Sequence, residues 1–393
     1  MNDVKDVFVV SAVRTPIGKQ KGYLRNWTAP ELLGTVLDES IRRIDLDPAL
    51  VEDVIGGTVY QVGEQGADLA RMGVLASSLP MTVPGVSVNR QCGSSLTALQ
   101  LAYGMIASNT MDIVIACGCE IMSKYTLSSD LNGTLFTGAP MGNPFGEFYT
   151  GKYGVWNQIV SAQEIADQWG VTLEECRDFA VSSHQKAHHA TINGYFKNEI
   201  VPMKGLDKEG NEIIRDTDET IRPGTNSESL GALKVLPGAR WITAGISSTI
   251  TDGSSAVVLM SEARMKELKI EPLARIAANA VVGSDPHLML TGPIYATPKV
   301  LDKAGLKMED IDIFEINEAF APIPLAWAKD LKADMSKLNV NGGALALGHP
   351  VGNSGSRLTV TAVHELRRRK ARYALVSLCT GGGMAPATIL ERV

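Results

Sequence analysis

Short, nearly continuous apolar runs alternate along the chain with longer segments whose apolar residues recur every three or four positions. "DVFVVSAV" (6–13) reads as a buried strand, and "APELLGTVLDESIRRI" (29–44) reads as a helix. "VEDVIGGTVY" (51–60), "DIVIACGCE" (112–120) and "SSAVVLMS" (254–261) are further strand-like runs. This alternation predicts an α/β fold with helices packed on mainly parallel strands.

The second half repeats the plan. "PLARIAANAVVG" (272–283) opens it as a strand, and "TPKVLDKAGL" (297–306) follows as a helix, with Thr297 as N-cap and Pro298 at the first helical position. "IDIFEINEAFA" (311–321) is strand then turn. "NVNGGALALGHPVGNSGSRLTVTAVHELRRR" (339–369) is a Gly-rich turn then a helix, and 373–393 is two strands about a glycine turn. His349 precedes the strand near Leu375–Cys379 much as Cys92 precedes Asp112–Cys117. Each half therefore sets a reactive residue between a strand and a helix, the pattern of an internal duplication.

The segment from about Ser123 to Pro237 interrupts the alternation. It holds a Gly/Asn/aromatic-rich stretch at 128–154, two helical patterns at 161–170 and 172–194, and a polar stretch at 206–229. Phe136, Phe145, Phe148, Tyr149 and Tyr153 in the first stretch are suited either to line a ligand channel or to pack the loop. The predicted organisation is one half over 1–122 and 238–270, an inserted loop domain over 123–237, and a second half over 271–393.

Composition narrows the function classes. The chain has 393 residues, 45% hydrophobic and 20% charged, with a net charge of −6, so no global basic field favours nucleic acid or an acidic membrane. Five cysteines in no framework spacing suit a reducing compartment, and Cys117, Cys119 and Cys176 read as packing residues. The N-terminal residues lack a signal- or transit-peptide pattern, so the expected location is the cytoplasm. His184 and His188 lie four apart on a probable helix, a spacing that can bind metal. No third ligand motif accompanies them, so they read as a solvated helix face and no metal is expected. The basic "ELRRRKAR" (365–372) reads as a solvated helix end favoured by the dipole.

Four short motifs carry chemistry. In "VNRQCGSSLTALQL", Cys92 stands at the start of a helix among small residues. A free cysteine pKa of about 8.5 falls at such a terminus, which favours the thiolate. A packed cysteine at a tight turn fits the segment equally well. In "NGGALALGHPVGNSGS", His349 sits on a loop entering a helix, as a proton acceptor or as a turn cap. In "SLCTGGGMAP", Cys379 ends a strand before three glycines whose N–H groups can face an oxyanion, or it packs under a glycine hairpin. In "EINEAFAP", Asn317 and Glu318 stand where a strand meets a helix, and Glu318 reads as structural.

Together these motifs resemble the thiolases, the acetyl-CoA acetyltransferase and 3-ketoacyl-CoA thiolase group. The resemblance runs through "SAVRTPIGK", "NRQCGSSL", "FAVSSHQKA", "TAGISSTITDGSSAVVLMS", "NEAFA", "NVNGGALALGHPVGNSGSR" and "CTGGG", in the family's order and spacing. It implies a thiolase-like α-β-α-β-α layered sandwich of duplicated βαβαβ halves with an inserted loop domain. It also implies roles: Cys92 as the acyl-carrying nucleophile, His349 as its base, and Cys379 as the acid/base at the α-carbon. Asn317 holds a water in one oxyanion hole with His349, and the N–H groups of Cys92 and Gly381 form the other. By the same resemblance Arg222, Ser229, Ala244 and Ser248 meet coenzyme A, and Met289, Ala319 and Phe320 line the substrate channel. The implied reaction is ping-pong Claisen condensation and thiolysis, by default 2 acetyl-CoA = acetoacetyl-CoA + CoA, with coenzyme A as substrate or product and no cofactor. A homo-oligomer, a dimer or a dimer of dimers, is implied too.

Three departures from the family pattern stand out. Ile246 takes an asparagine's place, Asn157 takes a histidine's, and "KYTLSSD" follows "GCEIMS". They bear on acyl-chain length and assembly. Longer or branched 3-ketoacyl-CoA substrates are one alternative. A decarboxylating condensing enzyme is a second, against which Cys379 argues. A silent acyl-CoA-binding protein on this fold is a third.

Overall fold

The computed structural model describes residues 5–131 and 142–393, so Phe136 lies outside the described residues. The chain runs β1 (Val7–Arg14), β2 (Gly18–Lys19), α1 (Ala29–Arg42), β3 (Asp53–Gly57), α2 (Leu69–Leu75), β4 (Gly85–Val88), α3 (Ser94–Ala107) and β5 (Ile113–Ile121). The insertion follows as α4 (Glu147–Tyr153), α5 (Gln158–Gln168), α6 (Leu173–Ile192), the hairpin β6 (Met203–Leu206) and β7 (Glu212–Arg215), and α7 (Ser227–Gly231). Then come β8 (Thr251–Ser261), α8 (Glu262–Leu268), β9 (Ala274–Gly283), α9 (Gly292–Ala304), β10 (Ile313–Ile316) and α10 (Pro322–Leu331). The chain closes with α11 (Ala344–Leu347), α12 (Ser354–Arg369), β11 (Tyr373–Ser377) and β12 (Met384–Glu391).

The strand order β10-β11-β12-β9-β1-β8-β5-β3-β4 makes the doubling visible. Read outward from the centre, β1–β8 and β8–β5 are antiparallel and β5–β3 is parallel. On the other side β9–β12 and β12–β11 are antiparallel and β11–β10 is parallel. The two halves meet through β1 and β9, where Phe8 pairs with Arg275 and Val9 with Ala274. The predicted mainly parallel pairing therefore needs correction: each half also carries antiparallel central strands.

Strand alternation explains why these segments are apolar throughout. Val7 and Val9 of β1 enter a central core with α3 and α12, while Phe8 and Val10 enter an outer core with α1 and α2. On β11, Ala374 and Val376 face the central core, and Leu375 joins a third core with α9 and α10. Both faces of each half-sheet are covered, so no polar face interrupts the pattern. The result is five layers, helix, sheet, helix, sheet, helix.

Glycines let the two central helices sit close. A Cβ on Gly57 would lie 2.2 Å from the Ser95 backbone nitrogen, and one on Gly355 would lie 2.3 Å from that of Leu96. Helix starts follow local chemistry. Thr28 and Glu31 form a reciprocal cap on α1, and Thr172 and Glu175 do the same on α6.

Two local expectations fail. The helix expected from Thr297 begins five residues earlier, with Pro293 in its first turn and Pro298 inside it. Thr297 is instead buried, and its Oγ1 accepts a hydrogen bond from the Trp327 indole at 2.9 Å. Thr-Pro looks like a helix start, but packing against α10 keeps this one in the interior. The polar stretch at 206–229 also contains structure, namely β7 and α7. The β6–β7 hairpin is held by Arg25, which donates to the Leu206 and Asp207 carbonyls.

Candidate active site

The four motifs converge from both halves at the carboxyl ends of β4, β10 and β11, together with the loop before α12. After β4 the chain turns sharply: Gln91 has φ +50°, in the left-handed region. Two side chains hold that turn. Asn89 Oδ1 accepts from Gln91 N at 2.8 Å, and Ser94 Oγ donates to the Gln91 carbonyl at 2.6 Å. Gly93 abuts the other half, where a Cβ would lie 2.6 Å from Thr380 Cγ2. Ser95 Oγ accepts from Ser356 N of α12 at 2.9 Å. The small residues beside Cys92 thus fix the turn and admit the opposite half.

Cys92 lies two residues before the first residue of α3 and is 7% exposed. Its sulfur accepts from its own N–H and from that of Gly381. The expected thiolate is not what the resting site favours. Burial pushes the Cys92 thiol up to about 12, the Glu120 charge adds to this, and the two N–H groups offset only part. Desolvation outweighs the helix terminus, so the resting group is a thiol. Cys379, fully buried at the end of β11, faces Cys92, and burial raises its thiol as well.

His349 has its ring fixed on both sides. Ser354 Oγ donates to the Pro350 carbonyl at 2.9 Å and lies 2.5 Å from His349 Nδ1, so Nδ1 carries the proton. Nε2 is then the acceptor, 3.3 Å from the Asn317 amide Nδ2. Burial, with a smaller contribution from Arg357, lowers His349 to about 3. A neutral imidazole whose Nε2 lone pair is met only by a long 3.3 Å amide contact can still take a proton. Asn317 is buried, and its Oδ1 has no hydrogen-bond partner among the described residues. Glu318 is structural, as expected: it accepts from Ser183 Oγ, Asn339 Nδ2 and Leu345 N at 2.7–3.0 Å.

A cleft of about 320 Å³ adjoins the turn that carries Cys92, lined by Tyr60, Gln91, Leu127, Phe145, Trp156 and Phe320 among others, while Cys92, Asn317, His349 and Cys379 lie behind its wall. Trp156 leans on the glycine turn: its Cζ2 is 2.8 Å from where a Cβ on Gly381 would sit. Phe145 stacks on Trp156 with centroids 3.9 Å apart. The loop aromatics divide between the cleft, the packed loop and the surface. Phe145 lines the cleft, Tyr149 packs and donates to the Pro286 carbonyl at 2.6 Å, and Phe148 is 77% exposed. A larger cleft of about 720 Å³ lies under the β6–β7 hairpin, and its lining includes neither the candidate residues nor the neighbours Tyr60, Gln91 and Trp156.

The residues expected to meet coenzyme A or line the channel divide into groups. Phe320 lines the cleft, and Ala319 adjoins it, its carbonyl accepting from Ser248 N at 2.9 Å. Arg222 and Ser229 lie exposed on the insertion, and Ala244 lies exposed just after it. Ser229 N–H donates to Asn226 Oδ1, capping α7. Met289 is fully buried in the third core and does not line the cleft.

Three further expectations are revised. Ile246 is fully buried in the third core, which Phe320 also joins, and it does not itself line the cleft. Asn157 does line the cleft, and it also caps α5 through bonds from Ile159 N and Val160 N at 3.0 and 3.3 Å, a bond pattern worth about 1 kcal/mol. His184 is buried rather than solvated, and its Nδ1 accepts from Arg222 N at 3.1 Å. Burial lowers its pKa to about 4, so it stays neutral and anchors the Arg222 loop. No group of three potential metal ligands occurs among the described residues. Tyr60, Trp156 and Glu120 were missed at the sequence level. None belongs to a turn motif, and only the fold brings them to the site.

Comparison with known proteins agrees with this geometry. Residues 7–263 match the thiolase N-terminal domain and residues 270–392 the thiolase C-terminal domain. A steroid 3-ketoacyl-CoA thiolase of Mycobacterium tuberculosis is 40% identical over 390 residues, covering 99% of this chain and 94% of the relative. An acetyl-CoA acetyltransferase of Cupriavidus necator is 40% identical over 393 residues, covering 98% and 99%. The crystal structure of human mitochondrial 3-ketoacyl-CoA thiolase matches with a TM-score of 0.89 at 35% identity, covering 99% of both chains. The chain therefore belongs to the thiolase family of acyltransferases.

Proposed function

We propose that the protein catalyses reversible CoA-dependent Claisen condensation and thiolysis of 3-ketoacyl thioesters through an acyl-Cys92 intermediate. The observation that carries this reading is the meeting of two cysteines at one site, Cys92 and Cys379, with the Gly381 N–H on the first sulfur. Acyl transfer and α-carbon deprotonation need separate protic groups, and two thiols supply them. In acyl loading His349 Nε2 takes the Cys92 proton as the sulfur attacks the thioester carbonyl; the carbonyl–sulfur bond to CoA then breaks, and His349 returns the proton to the departing CoA sulfur. The N–H groups of Cys92 and Gly381 stabilise one oxyanion, and His349 with an Asn317-held water stabilises the other. Arg222, Ser229, Ala244 and Ser248, at the insertion and its border, serve the coenzyme A moiety.

Acetoacetyl-CoA is the default substrate. Larger acyl groups form a second reading, favoured by the cleft's apolar wall of Leu127, Leu131, Phe145, Trp156 and Ile159. A thiolysis series over acetoacetyl-CoA and longer or branched 3-ketoacyl-CoAs separates the two. A pocket built for longer chains favours them by at least about tenfold in kcat/KM, since a methylene is worth roughly 1–3 kcal/mol. A strong preference for acetoacetyl-CoA rejects the larger-acyl reading.

The same proposal includes a homo-oligomer, a dimer or a dimer of dimers. β4 is the open edge of its half-sheet, with Val86 43% exposed on it and Leu101 46% exposed on α3. Light scattering is expected to give at least a dimer at working concentration, and a fully active monomer would refute this. No helix among the described residues is long and apolar enough to cross a membrane.

A further inference from the structure

Glu120 is a buried carboxylate that the proposed chemistry does not use, and its surroundings are unusual. It ends β5 facing inward, and four N–H donors converge on it. Oε2 accepts from Val59 N at 2.8 Å and Gly352 N at 2.9 Å. Oε1 accepts from Tyr60 N at 3.2 Å and Gln65 Nε2 at 2.6 Å. Val59 and Tyr60 follow β3, where Tyr60 lines the cleft and faces Cys92. The Val59 carbonyl also accepts from Asn89, three residues before Cys92, at 2.9 Å. Gly352 is three residues after His349 in the other half. It has no side chain because Glu120 occupies the space, and a Cβ there would lie 2.4 Å from Oε2.

We propose that Glu120 is a positioning residue for the Cys92–His349 pair, its carboxylate tying the His349 loop of one half to the Tyr60 and Cys92 loops of the other. This rests on the thiolase reading of Cys92 and His349. Only a carboxylate offers acceptors to all four donors, because a glutamine amide would turn an NH₂ group toward two of them. Charge-assisted bonds of this kind are also the stronger ones. Gln65 closes the clamp by accepting from Ile121 N at 2.6 Å and donating to the Tyr60 carbonyl at 2.9 Å.

The charge has a second consequence. Cys92 is faced by Glu120 from β5, by Tyr60 from the β3 loop and by Cys379 from the β11–β12 turn. Burial raises Glu120 to about 7. When ionised, it opposes the thiolate at Cys92. Removing the charge therefore makes the thiolate easier to form, while removing the clamp makes acyl transfer slower. The charge effect follows from proximity alone, whereas slower acyl transfer in the folded protein is predicted by the positioning role and not by a merely structural carboxylate.

The test uses the full chain and two variants, E120Q and E120D, and follows the Cys92 peptide by mass spectrometry. Single-turnover acetylation by acetyl-CoA is expected to slow at least about tenfold in both, less than the roughly 10²–10⁴-fold for outright loss of a general base, because the base is displaced and not removed. Iodoacetamide alkylation of Cys92 at about pH 8 is expected to quicken in E120Q, where the charge is gone, and not in E120D, which keeps the charge but not the reach. Acetylation within about twofold of the parent in the folded variants overturns the proposal, and so does unchanged alkylation in E120Q. If E120Q does not fold, the acetylation rate of E120D decides. Absence of Cys92 acetylation in the parent protein instead refutes the thiolase reading on which the proposal stands.

Discussion

Cys92→Ala is expected to abolish both condensation and thiolysis, with turnover lower by on the order of 10⁴ or more, and to leave no covalent acetyl adduct after acetyl-CoA treatment. The parent protein is expected to show the adduct on the peptide containing Cys92. The side chain is only 7% exposed and its thiol is raised to about 12, so the site does not store a reactive thiolate. Under the proposed mechanism, proton loss to His349 accompanies attack. His349 suits this because it is neutral, with Nε2 as acceptor and Nδ1 held by Ser354. The alanine removes a small buried group without introducing a polar one, so loss of activity is expected in a folded protein, checked by circular dichroism. An adduct on another cysteine, or near-normal turnover, would sink the nucleophile assignment. Cys117, Cys119 and Cys176 are the controls, all buried and free.

Cys379→Ala is expected to separate the two halves of the reaction. Acetylation of Cys92 should persist, because the sulfur, the Gly381 N–H and His349 all remain. Condensation and thiolysis should fall by about 10²–10⁴-fold, the usual contribution of one general acid–base group. Cys379 is fully buried beside Cys92 at the end of β11, where burial raises its thiol and so favours the protonated form. That form suits protonation of the enolate in cleavage. In condensation the same sulfur must first give up its proton, so the step is expected to depend on a filled site. Near-full thiolysis by the variant would make Cys379 a packing residue.

How much was legible beforehand varied by residue. Cys92 with its small neighbours, Asn317, His349, Cys379 and Gly381 were readable because each lies in a short turn beside a strand or helix, where local backbone demands select residue types. Gly93 shows the partial case. Its smallness was evident, but the Thr380 methyl group that requires it lies in the other half. Asn157 showed as a departure from the family pattern, while its cap on α5 became visible only with the helix in place.

By itself the sequence determined the α/β alternation, the doubling and the turn motifs that carry the candidate residues, because strand and helix periodicity and turn chemistry are local properties of the chain. Tertiary structure decided what depends on distant neighbours. It buried His184 against the Arg222 loop, drew Ile246 into a core, and kept Thr297 inside a helix packed on α10. It also reversed the expected ionisation of Cys92. Desolvation is set by everything that surrounds a group, and the walls of this site come from both halves of the chain. Glu120 is the clearest instance: on β5 it reads as one acidic residue after an apolar run, and only the folded chain brings Val59, Tyr60, Gln65 and Gly352 to its two oxygens.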